Sequence, residues 1–307
     1  MLKRTEGIVL KTTPFGEADL IVTYLTLDFG LLKAFAKGPR KIKSRFGSSL
    51  EPFTHSRISF WGKEDTTLPR LTQSDIIYSF QTIRDTLSCF LKVSEIAELT
   101  MHFIPERDVN KKVFSLLLNT LHDIENNPPE FPHTPFCKVI PPHPLLLKGG
   151  RGDFKGGKWG LSGADLMINH YKIKFLEYVG FAPKLDACGR CGKVGIDSYR
   201  DGYCFYVSHG SVLCEDCAKG MDSPRTTGSH APTLMIGVEH ACEGVVRGSP
   251  ARLSPGVVKL YADLLIWDIT KIKRIRPSVM LLSGLSDIMD MHIKYILTRP
   301  LKSKSFI

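Results

Sequence analysis

At Tyr78 the hydrophobic repeat of this chain changes from about two to about 3.6, and that break decides what can fold on either side of it. From Glu6 to about Ile77 the apolar residues fall in short β-rich runs: Gly7 to Lys11, Ala18 to Leu27, Leu31 to Lys37, Thr54 to Trp61 and Leu68 to Ile77. Between them stand the turn formers Pro14-Phe15-Gly16, Asp28-Phe29-Gly30 and Gly62-Lys63-Glu64-Asp65. Five strands in roughly 75 residues suit a small barrel of OB-fold size, a pattern that other small barrels share.

Beyond Tyr78 the repeat predicts helices. One is expected from a Thr82 cap to Pro105, carrying Leu87, Leu91, Ile96 and Leu99, and a second from an Asn110 cap to Asn126-Asn127-Pro128-Pro129. A third runs from Ser162 to Gly180, a fourth starts at Ser254-Pro255, and one or two more fill Ser278 to Leu301. The class is therefore α+β: an N-terminal OB-fold β-barrel over residues 1–80, then a helical domain over residues 81–307.

Residues 126–161 differ in character, with seven of the chain's 19 prolines and six of its 26 glycines, and read as a disordered surface insertion. Within it, Gly152, then four residues, then Gly157-Lys158 imitates a phosphate-binding loop. Trp159 then stands where magnesium needs a Ser or Thr, and Pro141-Pro142-His143-Pro144 is no buried strand, so no nucleotide site is expected.

Two Cys-x-x-Cys knuckles, Cys188/Cys191 and Cys214/Cys217, are separated by 22 residues. Four thiolates close a tetrahedral shell around Zn²⁺ and leave no position open for catalytic water, so the expected cofactor is one structural zinc in a ribbon over residues 186–220. Gly189 and Gly192 let the backbone turn, and Tyr199 to Leu213 suits the ribbon's hairpin. The plain alternative is four buried thiols without metal. Cys204 reads as packing, His209 as a surface turn, and Cys89, Cys137 and Cys242 as isolated.

Charge points to a polyanion. Lys and Arg number 41 against 31 Asp and Glu, a formal net charge of +10. Phe29 to Leu50 concentrates Lys33, Lys37, Arg40, Lys41, Lys43 and Arg45 without one acid. If Leu31 to Lys37 is a strand, Lys33, Phe35 and Lys37 share a face, which places a ring among cations. Such a surface lets bases stack while lysines follow phosphates. The plain alternative is a solvated charge run with Phe35 tucked under a bulge. By the same alternation His55, Arg57 and Trp61 share a face, and Arg57 joins the candidate DNA-binding residues. A second cluster, Lys271 to Arg276, with Lys294, Arg299, Lys302 and Lys304, fits either a polyanion or the dipoles of helix C-termini. No window has the ~18 uninterrupted apolar residues of a membrane span, and the N-terminus carries no leader pattern, so a cytoplasmic protein is expected.

Glu6-Gly7-Ile8-Val9-Leu10, Phe15-Gly16-Glu17-Ala18-Asp19, Ala36-Lys37-Gly38, Arg40-Lys41, Ser44-Arg45 and Leu50-Glu51-Pro52-Phe53 resemble the N-terminal barrel of the RecO family. Leu176-Glu177-Tyr178-Val179-Gly180-Phe181-Ala182-Pro183 and Leu301-Lys302-Ser303-Lys304 are similar to its helix-to-zinc junction and tail. The resemblance covers nearly the whole chain apart from the Pro/Gly insertion. It implies a non-enzymatic DNA repair and recombination mediator, nucleoid-associated in a bacterium. Such a protein binds single- and double-stranded DNA, anneals complementary strands and contacts the acidic C-terminal tail of single-strand-binding protein. It also helps load RecA with RecR. Because some family members lack the cysteines, zinc is implied to support the fold. An accessory factor of transcription or translation with the same two modules is the competing reading; a nuclease or NTPase lacks its acidic cluster or phosphate loop.

Overall fold

Alternation along the first eighty residues produces a closed sheet. In the computed structural model, which describes residues 1–41, 44–63, 66–126, 163–194, 203–219, 251–298 and 301–303, five strands form it. They are β1 (Leu2–Phe15), β2 (Asp19–Thr26), β3 (Gly30–Ala36), β4 (His55–Trp61) and β5 (Arg70–Tyr78). The barrel order is β1-β2-β3-β5-β4. Every pairing is antiparallel except that of β3 with β5, which aligns Phe35 with Arg70 and Ala36 with Leu71. Val9, Val22, Tyr24, Ala34, Ile58, Phe60 and Leu71 fill the interior. This is the OB-like barrel that the strand count implies.

One side of the barrel is not free. Ile8, Leu10, Leu25 and Leu31 join Phe53, Phe80 and the apolar faces of the first helices in one continuous core. At Gly30 (φ 61°) the turn into β3 passes so close to the segment after those helices that a Cβ would sit 2.1 Å from the Asp108 carbonyl oxygen. Only glycine tolerates both the backbone angle and the contact.

The helix expected from Thr82 is two helices, α1 (Gln81–Asp85) and α2 (Leu87–Phe103), interrupted where Thr86 turns extended. Thr82 does not cap α1. Phe80 occupies the cap position with left-handed dihedrals, and the Glu125 carboxylate accepts the Thr82 and Ile83 amides at 3.1 and 3.0 Å. That acid belongs to α3 (Lys111–Asn126), whose own start has the expected Asn110 cap, the side-chain oxygen accepting the Val113 amide. α4 (Gly163–Tyr178) follows and is buried along most of its length.

A small sheet interrupts the helices: β6 (Tyr203–Tyr206), a 3₁₀ turn (Val207–His209), β7 (Ser211–Leu213), the short α5 (Glu215–Lys219) and β8 (Ala251–Leu253), in the order β7-β6-β8. The third strand, β8, is an addition to the hairpin read from sequence. α6 (Pro255–Ile266) and α8 (Val279–Leu297) begin where the fourth and later helices are expected, capped by the Ser254 and Ser278 side chains, with α7 (Ile269–Ile272) between them. The 126–161 insertion beyond Asn126, together with Cys137 and Cys242, lies outside the described residues.

Candidate nucleic-acid interface and metal centre

β3 points its odd residues away from the barrel interior. Lys33 and Lys37 are exposed and Phe35 is half-buried, while Leu32, Ala34 and Ala36 are buried. After β3, Gly38 (φ 69°) turns the chain, and its amide donates to the Asp19 carboxylate at 2.7 Å. The Arg40 amide donates to the Ala18 carbonyl at 3.2 Å, so the root of the basic loop is tied to the β1–β2 turn. Arg40, Lys41 and Arg45 are exposed, and the Arg45 guanidinium lies 4.9 Å from the centroid of buried Phe46. Lys43 lies outside the described residues.

Two of the candidate cations have carboxylate partners. Lys33 Nζ donates to Glu106 Oε1 at 2.5 Å with both groups about half exposed. Arg57 is exposed but stands 3.6 Å from Glu6 Oε1, and its cross-strand partner on the other side is Asp75. Asp75 is five residues along β5 from Arg70, roughly 17 Å at the rise of a strand, so Arg57 is remote from the loop. His55 points the same way as Arg57 but is buried beneath the Phe114 ring, 6.0 Å away, where the helices cover the barrel. Burial lowers its pKa against the upward pull of Glu6, 3.3 Å from Nε2.

The pairing of strands adds groups that a linear reading does not join to Phe35. The half-exposed Phe15 ring at the end of β1 meets the Phe35 ring edge-on, centroids 5.8 Å apart. On the other flank Arg70 is exposed beside Phe35, and Trp61 is 58% exposed beside Arg70. Phe15 reads as a turn residue in Pro14-Phe15-Gly16; only the extension of β1 to that point would have put it on the outer face.

Cys188, Cys191, Cys214 and Cys217 come together at the start of the small sheet, all four sulfurs within 4.8 Å of one another. The Cys191 and Cys214 sulfurs are 3.6 Å apart, close to the ~3.8 Å edge of a tetrahedron with metal–sulfur bonds of about 2.3 Å. Gly192 (φ 71°) turns the first knuckle, and at Gly189 a Cβ would collide with Ser211 Oγ at 1.9 Å. The Cys214 amide donates to the Cys188 sulfur at 3.4 Å. Burial raises the Cys188 thiol, but amides of Cys191, Cys214 and Arg190 outweigh it and bring the thiol down to about 6. Hydrogen bonding with Cys214, then burial, pushes Cys217 up to about 12. A protein that gathers four thiols has one sulfur ready to ionise and another held protonated by its neighbours, an arrangement that a divalent cation relieves. The four cysteines can therefore hold a metal ion. Cys204 packs beside them on β6, and His209 lies in the 3₁₀ turn; neither joins the sulfur cluster.

The second basic cluster follows α6. Lys273 pairs with Asp123 at 2.5 Å, and the Arg276 guanidinium donates to the Lys273 and Ile275 carbonyls, so part of it holds helix ends together. Among the described residues no helix is long and apolar enough to cross a membrane.

Fold and site together define a class: an OB-like barrel with an exposed cation-and-ring surface, joined to a helical region that carries an inserted four-cysteine cluster able to hold a metal ion. A family model, Recombination protein O N terminal, matches residues 1–80. The chain is 35% identical over 293 residues to the DNA repair protein RecO of Thermodesulfovibrio yellowstonii, which covers 95% of this chain and 92% of that protein. It is 29% identical over 265 residues to the protein of that name from Syntrophus aciditrophicus, covering 84% and 88%, and 28% identical over 274 residues to that of Rubrobacter xylanophilus, covering 84% and 95%. The chain belongs to the RecO family of DNA repair proteins.

Proposed function

We propose that this chain is a non-enzymatic mediator of DNA repair and recombination that binds single- and double-stranded DNA and anneals complementary strands. The observation that supports it best is the barrel end where Lys37, Arg40 and Lys41 are exposed beside the Phe35 and Phe15 rings. Cations neutralise phosphates, the rings offer faces to bases, and neither contact reads sequence, which is what pairing of arbitrary complements requires. Annealing needs no nucleophile or general base: lowering the repulsion between two polyanions is enough.

In this reading residues 1–80 are the DNA-binding unit and residues 81–307 the helical unit, with a structural zinc held by Cys188, Cys191, Cys214 and Cys217. The partners are RecR, with which RecA is loaded, and the acidic C-terminal tail of single-strand-binding protein. The setting is the bacterial cytoplasm, at the nucleoid. The test mixes complementary fluorescent oligonucleotides with the protein, without nucleotide or magnesium, and follows duplex formation and strand length. Accelerated duplex formation with intact strands is the expected result; strand cleavage, or no acceleration, overturns the proposal.

A further inference from the structure

We infer that Trp61 and Arg70 form a second stacking subsite for single-stranded DNA, continuing the Phe35 platform around the barrel across β5. The inference rests on the single-strand binding proposed above and extends it to residues on strands that the basic loop does not touch.

Register places the subsite. Phe35 pairs with Arg70 across the parallel β3–β5 ladder, and Arg70 pairs with Trp61 across β5–β4. The flanking residues Ala36, Leu71 and Phe60 point inward and are buried, so Phe35, Arg70 and Trp61 stand on the outer face in one row. At a strand spacing of about 4.8 Å the indole and the Phe35 ring are anchored roughly 10 Å apart, with one guanidinium between them. With Phe15 on the far side of Phe35, three rings and a cation line one path.

The indole is not used by the fold. It is 58% exposed, and the barrel interior is filled without it. A surface indole gives up a large burial free energy, so a position that keeps one exposed beside a cation offers a stacking face to a ligand. Its backbone is held firmly: the next residue, Gly62, is packed so that a Cβ would lie 3.0 Å from the Pro69 Cβ. An indole has only two side-chain torsions to fix, so it loses little freedom when a base stacks on it. Charge selects the occupant. Arg70, Lys37 and Lys63 are exposed around the row, which suits phosphates, whereas a second copy of a chain with net charge +10 would bring like charges together.

The experiment measures affinity for oligothymidines of about 4 to 16 nucleotides, the range of site sizes for such barrels, using the full chain and its Trp61→Ala, Trp61→Phe, Arg70→Ala and Lys37→Glu/Arg40→Glu variants. Trp61→Ala is expected to weaken binding of the long oligonucleotides at least about 5-fold, the lower end of the loss of one stacked base, and to leave the shortest nearly unchanged. Trp61→Phe should restore most of the loss. Arg70→Ala should lower the salt slope on long oligonucleotides by about 0.7. In the wild type, bound long oligonucleotide should quench tryptophan emission by more than it does in Trp61→Phe. Wild-type affinity at every length for Trp61→Ala and Arg70→Ala, while the Lys37/Arg40 reversal still abolishes binding, would overturn the subsite and leave the proposed function standing. Loss of self-association in Trp61→Ala with DNA affinity intact would likewise overturn it in favour of a protein contact. Unchanged binding by the Lys37/Arg40 reversal would remove the underlying reading itself.

Discussion

Lys172 Nζ lies 2.6 Å from Glu95 Oε1 in the middle of the helical layer, with the two side chains only 2% and 5% exposed. A second carboxylate, Asp290 of α8, receives the same ammonium at 2.9 Å, so one lysine of α4 ties α2 to α8. Taking two charges out of water costs several kcal/mol per ion, and their attraction offsets that only while both are present. Lys172→Met should therefore destabilise the fold by about 3–5 kcal/mol, because Glu95 is left buried without its cation. Adding Glu95→Leu should recover much of the loss. Urea unfolding of the single and double variants checks it; equal midpoints for the wild type and Lys172→Met would show that the pair contributes nothing.

The basic loop gives a sharper expectation. Lys37 and Arg40 are exposed, and neither anchors a buried group. Lys37→Glu with Arg40→Glu should abolish single-strand binding while leaving the circular dichroism spectrum and unfolding midpoint unchanged. Each phosphate contact steepens log affinity against log salt by about 0.7, so engagement of four loop cations corresponds to a slope near −3. Reversing Arg57, which sits between Glu6 and Asp75 away from the loop, should change affinity far less. An Arg57→Glu loss as large as that of the loop reversal would move the interface to the β4 side.

What sequence displays and what it hides divide along the range of the interaction. Alternation sets the five strands, and the Asn110, Ser254 and Ser278 caps are each a side chain three residues from the amide it accepts. Such signals are local. The cap of α1 is instead Glu125, more than forty residues away, and Thr86 interrupts a periodic apolar series that reads as one helix. β8 is a three-residue strand that, among the described residues, pairs with β6 alone. On the barrel, period two yields Lys33, Phe35 and Lys37 directly, whereas the row through Arg70 and Trp61 exists only because β3 pairs with β5 in parallel. The knuckle spacing singles out all four sulfurs of the cluster, since a Cys-x-x-Cys turn brings its own two sulfurs together.

Metal removal should act on the ribbon and the helix beneath it. The ring of Phe205 on β6 meets His292 of α8 at 5.9 Å, and Gly210 is packed against the same imidazole. The purified chain should contain one zinc, and Cys188→Ser or Cys214→Ser should lower that content well below one. Amide exchange should then accelerate across β6, β7 and the facing part of α8, while the barrel amides stay protected and single-strand affinity is kept. A metal-free chain with a protected ribbon would show that the thiols pack without an ion.

Acid should loosen the helical layer before it touches the barrel surface. His170 of α4 is buried, and burial, helped by the Lys174 charge, lowers its pKa to about 4. His292 is lowered by burial too, against the opposing effect of the hydrogen bond from its Nε2 to the Phe181 carbonyl at 2.8 Å. A histidine depressed by folding stays neutral in the native state while the unfolded chain takes up a proton. Its contribution is therefore fully present above the ordinary value of 6.5 and is lost as pH falls from there towards about 4. For His170 the window corresponds to about 3 kcal/mol at most, at 1.36 kcal/mol per pH unit. The denaturant midpoint of the wild type should fall between pH 7 and pH 4.5, and His170→Leu should fall less over the same interval, since the other titrating groups are common to both. Parallel curves for the two proteins would mean that His170 takes up its proton as readily folded as unfolded, and the acid sensitivity would then belong to other groups.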